Sequence, residues 1–329
     1  MRVLFVGGTG NISTECVRLA AARGHEVTVA TRGLRPVALP PGRVASVVVD
    51  AADGSAMARL AAEGRFDAAV SFVVFTAEEA RTALEAFAGR VEQFVFISSA
   101  AVYQKPPRHY VVTERTPRAN PFWDYARHKI EAEDVFRAAH ATSGFPATIV
   151  RPSYTYGDGW IPTSMGSDFT PVWRLRRGLP LVAPGDGTSL WIMTHASDFA
   201  RGLVGLLGRP EAVGEDFHIT SDEVLSWNQI YAAIAEAAGA PLQLVHIPSD
   251  FVARIDARRG ASLLGDKAWS LVYDNSKVRA LVPDFRPAVP FADGVKRSVA
   301  WLSADPDRQG LAMNAILDAV LEAWSRLKG

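Results

Sequence analysis

The chain has 329 residues, of which 48% are hydrophobic and 21% charged, so it can bury one large or two modest cores. Its 35 basic and 35 acidic residues cancel, which argues against nucleic acid or an anionic membrane as a partner. The single cysteine, Cys16, excludes an internal disulfide and fits a reducing compartment. No run of residues is typical of a signal peptide or a membrane span, so we expect a cytoplasmic protein.

The first half of the chain alternates short β-type runs with longer helical patterns, which is typical of βαβ units around a parallel sheet. The β-type runs are almost continuously apolar, so we expect helices to cover both faces of an α/β sheet. The predicted strands are 2–6, 26–31, 44–49, 68–74, 93–98 and 147–151, and the predicted helices between them are 13–24, 54–63, 77–89 and 120–142.

After residue 151 the pattern becomes irregular and rich in Gly, Pro, Ser and Tyr, which suits loops around a pocket. Further helices are predicted at 196–207, 226–238, 290–303 and 307–327. We therefore predict a sheet domain over residues 1–155, with 188–205 returning to it, and a smaller mixed α/β cap over 156–329.

The stretch "GGTGNIS" (7–13) follows the first predicted strand and opens the first helix. In this context a glycine turn holds a dinucleotide pyrophosphate. Gly7 or Gly8 would form the tight turn, and Gly10 would let the backbone approach phosphates that face the helix N-terminus. The third motif position, where Gly or Ala is usual, is Ser13, which weakens close helix–strand packing without abolishing it.

The end of the second strand bears on the choice of cofactor. It reads "VATRGLR", with Arg32 and Arg35 and no carboxylate to grip a ribose 2′-hydroxyl. These arginines favour NADP over NAD because they could accept a 2′-phosphate, and a solvated loop is the weaker alternative. Asp50, at the end of the third strand, could accept a hydrogen bond from the adenine amino group.

Candidate catalytic residues follow the middle of the sheet. Tyr125 and Lys129 in "YARHK" lie one helical turn apart on one face, so the cation could favour an ionised phenol. Ser98 and Ser99 end the strand "FISS", at the sheet edge where open α/β sheets bind ligands. A serine hydroxyl there could hydrogen-bond the substrate oxygen with which Tyr125 exchanges a proton.

These motifs resemble the extended short-chain dehydrogenases/reductases of the NAD-dependent epimerase/dehydratase family. The resemblance implies a Rossmann domain with a small substrate domain, paired as a homodimer. It implies that Ser99 is the catalytic hydroxyl, that Tyr125 is the acid/base, and that Lys129 binds the nicotinamide ribose and lowers the tyrosine pKa. We also expect Asn11, Ile12, Ser98 and Pro152 at the cofactor. The matching pieces are "GGTGNIS", "VVVD", "FISSAAVY", "YARHK", "RPSYTYG" and "HASDFARG".

Two departures from the family pattern limit the reactions that we expect of this chain. The family's sugar 4,6-dehydratases carry an Asp-Glu pair where this chain has Ala100 and Ala101, so elimination of water is not expected. Epimerisation next to a carbonyl needs an added base such as Cys or His, and Cys16 belongs to the first helix.

A third departure concerns the diphosphate of a nucleotide sugar. Many relatives carry an Arg where this chain reads Thr188 to Trp191. Arg258, Arg259 or Arg279 could substitute, and the sequence alone does not place them.

The sequence predicts an NAD(P)-dependent epimerase or oxidoreductase that transfers a hydride at a secondary alcohol or ketone of a sugar-like or nucleotide-sugar-like substrate. One alternative is an NADPH-dependent ketone reductase with a non-nucleotide substrate. Another is a non-catalytic dinucleotide-sensing or RNA-binding relative, because "TRG" and "FISSAAVY" also resemble chloroplast RNA-binding members. The seven histidines show no pairing at metal-ligand spacing, so no metal is expected.

Overall fold

The computed structural model describes residues 1–34 and 44–327. Arg35, one of the two arginines that favour NADP, lies outside the described residues. Within them, one parallel sheet has seven strands in the order β7–β6–β5–β4–β1–β2–β3. Its strands are β1 (Arg2–Val6), β2 (Glu26–Thr31), β3 (Val44–Val48), β4 (Ala68–Ser71), β5 (Gln93–Ile97), β6 (Ala147–Pro152) and β7 (Asp216–Ile219). The predicted doubly wound parallel α/β fold is confirmed.

The strand order reverses beside β1, which pairs with β2 on one side and β4 on the other. In register, Val6 lies between Ala30 and Ser71, so three strands end together. Ligands of open α/β sheets bind in the crevice outside such a reversal. The fold therefore places the glycine turn after β1 at the expected crevice.

Helices cover the sheet and build the cap. The helices of the described residues are α1 (Ser13–Ala22), α2 (Gly54–Gly64), α3 (Ala77–Phe87), α4 (Asp124–Ser143), α5 (Thr170–Leu175), α6 (Ala196–Leu206), α7 (Trp227–Ala238), α8 (Ser249–Ile255), α9 (Ala257–Ser262), α10 (Ser276–Leu281), α11 (Phe291–Ser303) and α12 (Asn314–Ser325). None of them is long and apolar enough to cross a membrane.

Two apolar layers enclose the sheet. On one face, Val17 of α1 and Phe199 of α6 belong to a core with strand residues such as Phe5. On the other face, α2, α3 and α4 supply residues such as Met57 and Phe136. The strand β3 departs from the expectation of full coverage: Val48 is 74% exposed, because β3 lies at the edge of the sheet.

The cap has its own apolar core, centred on Trp191 and Trp227, whose rings stack with centroids 5.4 Å apart. Short strand pairs frame this core. They are Tyr154–Tyr156 with Met193–His195, Pro162–Thr163 with Gly166–Ser167, Leu181–Pro184 with Leu244–Ile247, Leu190–Trp191 with Leu225–Ser226, and Val111–Val112 with Val272–Tyr273.

Several boundaries differ from the sequence prediction, among them the strand predicted over 68–74, which ends at Ser71. The strand β7 lies within the segment that we predicted to be cap, yet it pairs with β6 at the edge of the main sheet. The helix α4 begins at Asp124 and not at residue 120, because Pro121 holds the preceding residue out of the helical conformation. The last helix begins at Asn314, after a separate 3₁₀ turn at Pro306–Arg308.

Candidate active site

The glycine turn after β1 has the geometry of a phosphate cradle. Gly7 has φ +81°, a conformation that side-chain-bearing residues rarely adopt, and a Cβ there would lie 2.5 Å from Val73 Cγ1. At Gly8 a Cβ would lie 2.9 Å from Val29 Cγ1, so Gly8 provides the close approach of turn and sheet. No side chain caps the N-terminus of α1, which leaves its N–H groups for an anion.

Ser13 contributes more to this turn than the sequence suggested. Its hydroxyl donates to the Gly7 carbonyl at 2.8 Å and accepts from the Gly10 N–H at 2.8 Å. The side chain is buried. A glycine or alanine at this position could not form these bonds, so Ser13 stabilises the turn.

A cavity of about 700 Å³ opens beside the turn, at the carboxyl ends of β1, β2 and β4. Of the residues expected to bind the cofactor, Gly7, Gly10, Arg32 and Asp50 line it. The cavity is thus large enough for a ligand of the size of a nucleotide and has polar groups at its rim. These features fit a dinucleotide.

The other five expected cofactor residues, which are Asn11, Ile12, Ser98, Lys129 and Pro152, lie outside this cavity lining. Asn11 Oδ1 accepts from the Gly157 N–H at 3.1 Å, while its buried Nδ2 has no hydrogen-bond partner among the described residues. Such a donor fits a polar ligand at the turn. Ile12 is the residue that precedes α1, and Pro152 ends β6.

The structure brings Ser99 and Tyr125 together. Ser99 follows β5 and caps a 3₁₀ turn, accepting from the Ala101 N–H at 3.2 Å. The hydroxyl of Ser99 lies close to that of Tyr125, which is in the first turn of α4 and is half-buried. Two hydroxyls on separate elements thus converge at the sheet edge, as general acid/base catalysis at a substrate oxygen requires.

Lys129 lies one turn further along α4 and is buried. Its Nζ donates to the Val74 carbonyl at 2.5 Å and to the Ile97 carbonyl at 2.9 Å. It also lies 4.6 Å from the centre of the Phe75 ring and 5.9 Å from that of Tyr125. Burial lowers the pKa of this amine to about 7.

The expected lowering of the tyrosine pKa by Lys129 is not observed. Burial raises the pKa of Tyr125, the nearby hydroxyl of Ser99 lowers it, and the charge of Asp266 raises it further. The net direction is upward. The physical reason is that Lys129, with a pKa of about 7, is no longer a full cation at the pH at which a phenol ionises.

Ser98, expected at the cofactor, has its hydroxyl in a buried ionic network. It donates to Glu133 Oε1 at 2.6 Å. Arg151 binds the same carboxylate with two N–H groups, at 2.8 and 2.6 Å. Arg151 Nη1 also lies 2.6 Å from Asp216 Oδ2 and 3.1 Å from the Tyr103 hydroxyl. The network fixes α4 to the ends of β5 and β6.

The arginines that could replace the missing diphosphate ligand are now placed. The segment Thr188 to Trp191, where many relatives carry an Arg, ends in Trp191, which is buried against Trp227. Arg279 pairs with Asp222, and Arg258 is exposed. Arg259 is half-buried, where a Cβ on Gly166 would lie 3.0 Å from its Nη1.

Two groups near the site escaped the sequence analysis. One is the segment after β4, whose Val74 carbonyl holds Lys129. Thr76 and Glu79 form a capping box there, and the "TAEE" pattern could have revealed it. The other is Asp266, far along the chain, for which no local signal exists.

The family assignment rests on the first two thirds of the chain. Residues 3–220 match the NAD dependent epimerase/dehydratase family. The chain belongs to this family. It is an enzyme of the extended short-chain dehydrogenase/reductase type, as the resemblance implied.

Individual members of the family show different activities. The 2'-dehydrokanamycin reductase of Streptomyces kanamyceticus is 31% identical over 288 residues, covering 87% of this chain and 80% of that protein. The chloroplast stem-loop binding protein of 41 kDa b of Arabidopsis thaliana is 29% identical over 274 residues, covering 76% and 67%.

A solved structure shows the same fold. The UDP-glucose 4-epimerase of Bifidobacterium longum, in complex with NAD+ and UDP, gives a TM-score of 0.75 at 22% identity. The match covers 94% of this chain and 100% of that one. The structural neighbour therefore binds NAD at a Rossmann-type fold.

Proposed function

We propose that this family member reduces a ketone on a sugar-like ring, with Tyr125 as the proton donor and NADPH as the reductant. The carrying observation is the position of Tyr125: its hydroxyl lies beside that of Ser99 at the carboxyl edge of the sheet, and its pKa is raised. At neutral pH such a phenol keeps its proton and can donate it to an oxygen.

The roles of the side chains follow from their positions. A nicotinamide dinucleotide supplies the hydride when bound. Ser99 orients the substrate oxygen next to Tyr125, which donates its proton as negative charge develops there. Lys129, two of whose N–H groups donate to the Val74 and Ile97 carbonyls, has one further N–H to offer at the base of the site when it is protonated.

The preference for NADPH is supported by the end of β2. Arg32 is exposed at the rim of the cavity, and Thr31 and Gly33 beside it carry no carboxylate. A guanidinium suits a 2′-phosphate, whereas an acidic residue would suit the hydroxyl of NAD.

Likeness to the 2'-dehydrokanamycin reductase supports reduction over elimination or epimerisation. Ala100 and Ala101 offer no acid or base for elimination. An epimerase that oxidises and re-reduces its substrate would use the same Ser99 and Tyr125, and is the second candidate, supported by the fold it shares with the UDP-glucose 4-epimerase. The homodimer, the cytoplasmic location and the division at residue 155 stay predictions.

The decisive experiment measures turnover of 2'-dehydrokanamycin with NADPH and with NADH. For Tyr125→Phe we expect a fall in kcat of at least about a hundredfold, because proton transfer typically contributes that much. NADPH binding, measured by calorimetry, should survive.

The control is Tyr110→Phe, at a tyrosine that is 58% exposed, and its kcat should equal that of the wild type. Wild-type-like turnover in Tyr125→Phe would refute the proposal. Tightly held NAD+ in the purified protein, without net reduction, would instead identify the epimerase.

A further inference from the structure

Asp266 lies in a π-helical turn, Leu263–Lys267, a widened helix form that is frequent at functional sites. The turn belongs to the cap, but it is bound to the segments that carry Ser99 and Tyr125. Asn120 Nδ2 donates to the Gly265 carbonyl at 2.6 Å and to the Ala101 carbonyl at 2.8 Å. A Cβ on Gly265 would lie 2.6 Å from Trp123 Cβ, so the turn packs directly against the start of α4.

The carboxylate of Asp266 is incompletely satisfied. Its Oδ1 is buried and has no hydrogen-bond partner in the described part of the chain. The cation beside it, Lys105 Nζ, is 3.6 Å away, beyond hydrogen-bond range. Asp266 is also close enough to Tyr125 for its charge to raise the pKa of that phenol. A buried carboxylate oxygen without a donor is unfavourable, and a donor group of a ligand would relieve it.

The lysines near Asp266 are already engaged by the protein. Lys105 Nζ donates to the Tyr103 carbonyl at 3.1 Å. Lys267 Nζ donates to Ser262 Oγ at 2.7 Å and lies 5.3 Å from the centre of the Trp123 ring. Burial lowers the pKa of both amines. The acceptor on Asp266 is therefore the group that is left for a substrate.

We propose that Asp266 determines substrate specificity by accepting a hydrogen bond from a hydroxyl or ammonium group of the sugar ketone. The substrate class is then a neutral or cationic sugar, and not an anionic nucleotide sugar. The absence of an arginine from the segment Thr188 to Trp191, where many relatives carry one for the diphosphate, supports the same substrate class. This inference rests on the proposed function.

The test compares wild type, Asp266→Ala and Asp266→Asn. The ketone probes are 2'-dehydrokanamycin, which carries amines, and a methyl 2-ketoglucoside, which carries only hydroxyls. The control is Asp250→Asn, at an exposed carboxylate of α8. Steady-state kinetics give kcat and KM, and thermal unfolding shows whether each variant is folded.

We expect Asp266→Ala to raise KM by about tenfold to a hundredfold, as loss of a hydrogen bond to a charged group does, with a smaller change in kcat. If the donor is an ammonium group, Asp266→Asn should raise KM for 2'-dehydrokanamycin as much as Asp266→Ala does. If it is a hydroxyl, the amide carbonyl of Asp266→Asn should partly restore KM with the ketoglucoside. A KM that stays at the wild-type value in both variants would leave Asp266 a structural partner of Lys105 and overturn the inference.

Calorimetric binding separates this inference from the proposed function. If the wild type reduces neither ketone, titration of the two corresponding alcohols still compares wild type with Asp266→Ala. Weaker binding to the variant would support the inference although the reductase proposal had failed, and equal or undetectable binding would overturn it. UDP-glucose is the anionic probe: tight binding that is lost in Arg259→Gln would assign a nucleotide-sugar site and also overturn the inference.

Discussion

The cavity side and the catalytic side of this enzyme lie at the same edge of one sheet but are built differently. On the cavity side, backbone conformation makes the site: Gly7 adopts φ +81° against Val73, and the polar groups of Arg32 and Asp50 remain at the surface. On the side of Tyr125, which we call the catalytic side, the site depends on buried charges, because the side chains of Lys129 and Glu133 are both buried.

This contrast has an energetic consequence. A backbone cradle depends on shape, so it tolerates changes that add no atoms. A buried charge is stable only while its partners remain, because removing one leaves the other charge uncompensated. Substitutions in the ionic network should therefore lower the free energy of unfolding most, and substitutions at the rim of the cavity should lower it least.

The largest effect is expected for Glu133→Ala. The change leaves Arg151 without the two hydrogen bonds at 2.8 and 2.6 Å and frees the hydroxyl of Ser98. Breaking a buried pair in this way should lower the free energy of unfolding by about 3–5 kcal/mol, measured by urea denaturation. Glu236→Gln removes a carboxylate from an exposed pair with Lys296 and should leave stability unchanged. Equal effects of the two substitutions would contradict the contrast.

A second effect follows from the pKa of Lys129. The unfolded chain holds this proton up to about the ordinary value of 10.5, whereas burial lowers the pKa in the folded protein to about 7. Between these values the unfolded state binds more protons, so the stability of the wild type rises with pH. Relative to Lys129→Met, the free energy of unfolding of the wild type should increase by about 2–4 kcal/mol between pH 7 and pH 10.5. Below pH 7 the wild type carries the full cost of burying the charged amine. In Lys296→Met, at an exposed amine, the pH dependence of unfolding should match that of the wild type.

How much the sequence could predict follows the same division. The turn at Gly7 and the pair Tyr125 and Lys129 are local patterns, set by helix spacing and strand–turn–helix order, and they were found. The strand β7 was assigned to the cap because its four residues follow an irregular segment and acquire their sheet partner only through the fold. Asp266 and the carbonyl of Val74 reach the site through long-range packing, which no local spacing encodes.

The Gly7→Ala substitution tests the backbone side. Residue 7 has a left-handed backbone conformation, and the new Cβ would lie 2.5 Å from Val73 Cγ1. We therefore expect the free energy of unfolding to fall by about 1–3 kcal/mol and NADPH to bind more weakly. The matched control is Gly89→Ala, where φ is +68° but no atom lies within 4 Å of the added Cβ. The free energy of unfolding of this variant should fall by only about 1 kcal/mol, because of the backbone conformation alone, and NADPH should bind normally. If both variants bind NADPH equally well, the close approach of Gly7 is not needed for the cradle.

The smallest effect is expected at the rim, where Arg32 is exposed. For Arg32→Gln, folding should be unaffected, while KM for NADPH should rise about tenfold, because one charge-assisted contact with the 2′-phosphate disappears. KM for NADH should not change, since that dinucleotide carries no such phosphate. Arg59→Gln, at an exposed arginine of α2, is the control for a general loss of positive charge. Unchanged KM values for both cofactors would mean that Arg32 is a solvated loop residue, and a parallel rise of both would mean that it contacts a group that the two dinucleotides share. An effect confined to NADPH would show that the cavity side discriminates between cofactors at its surface, without the buried charges on which the catalytic side depends.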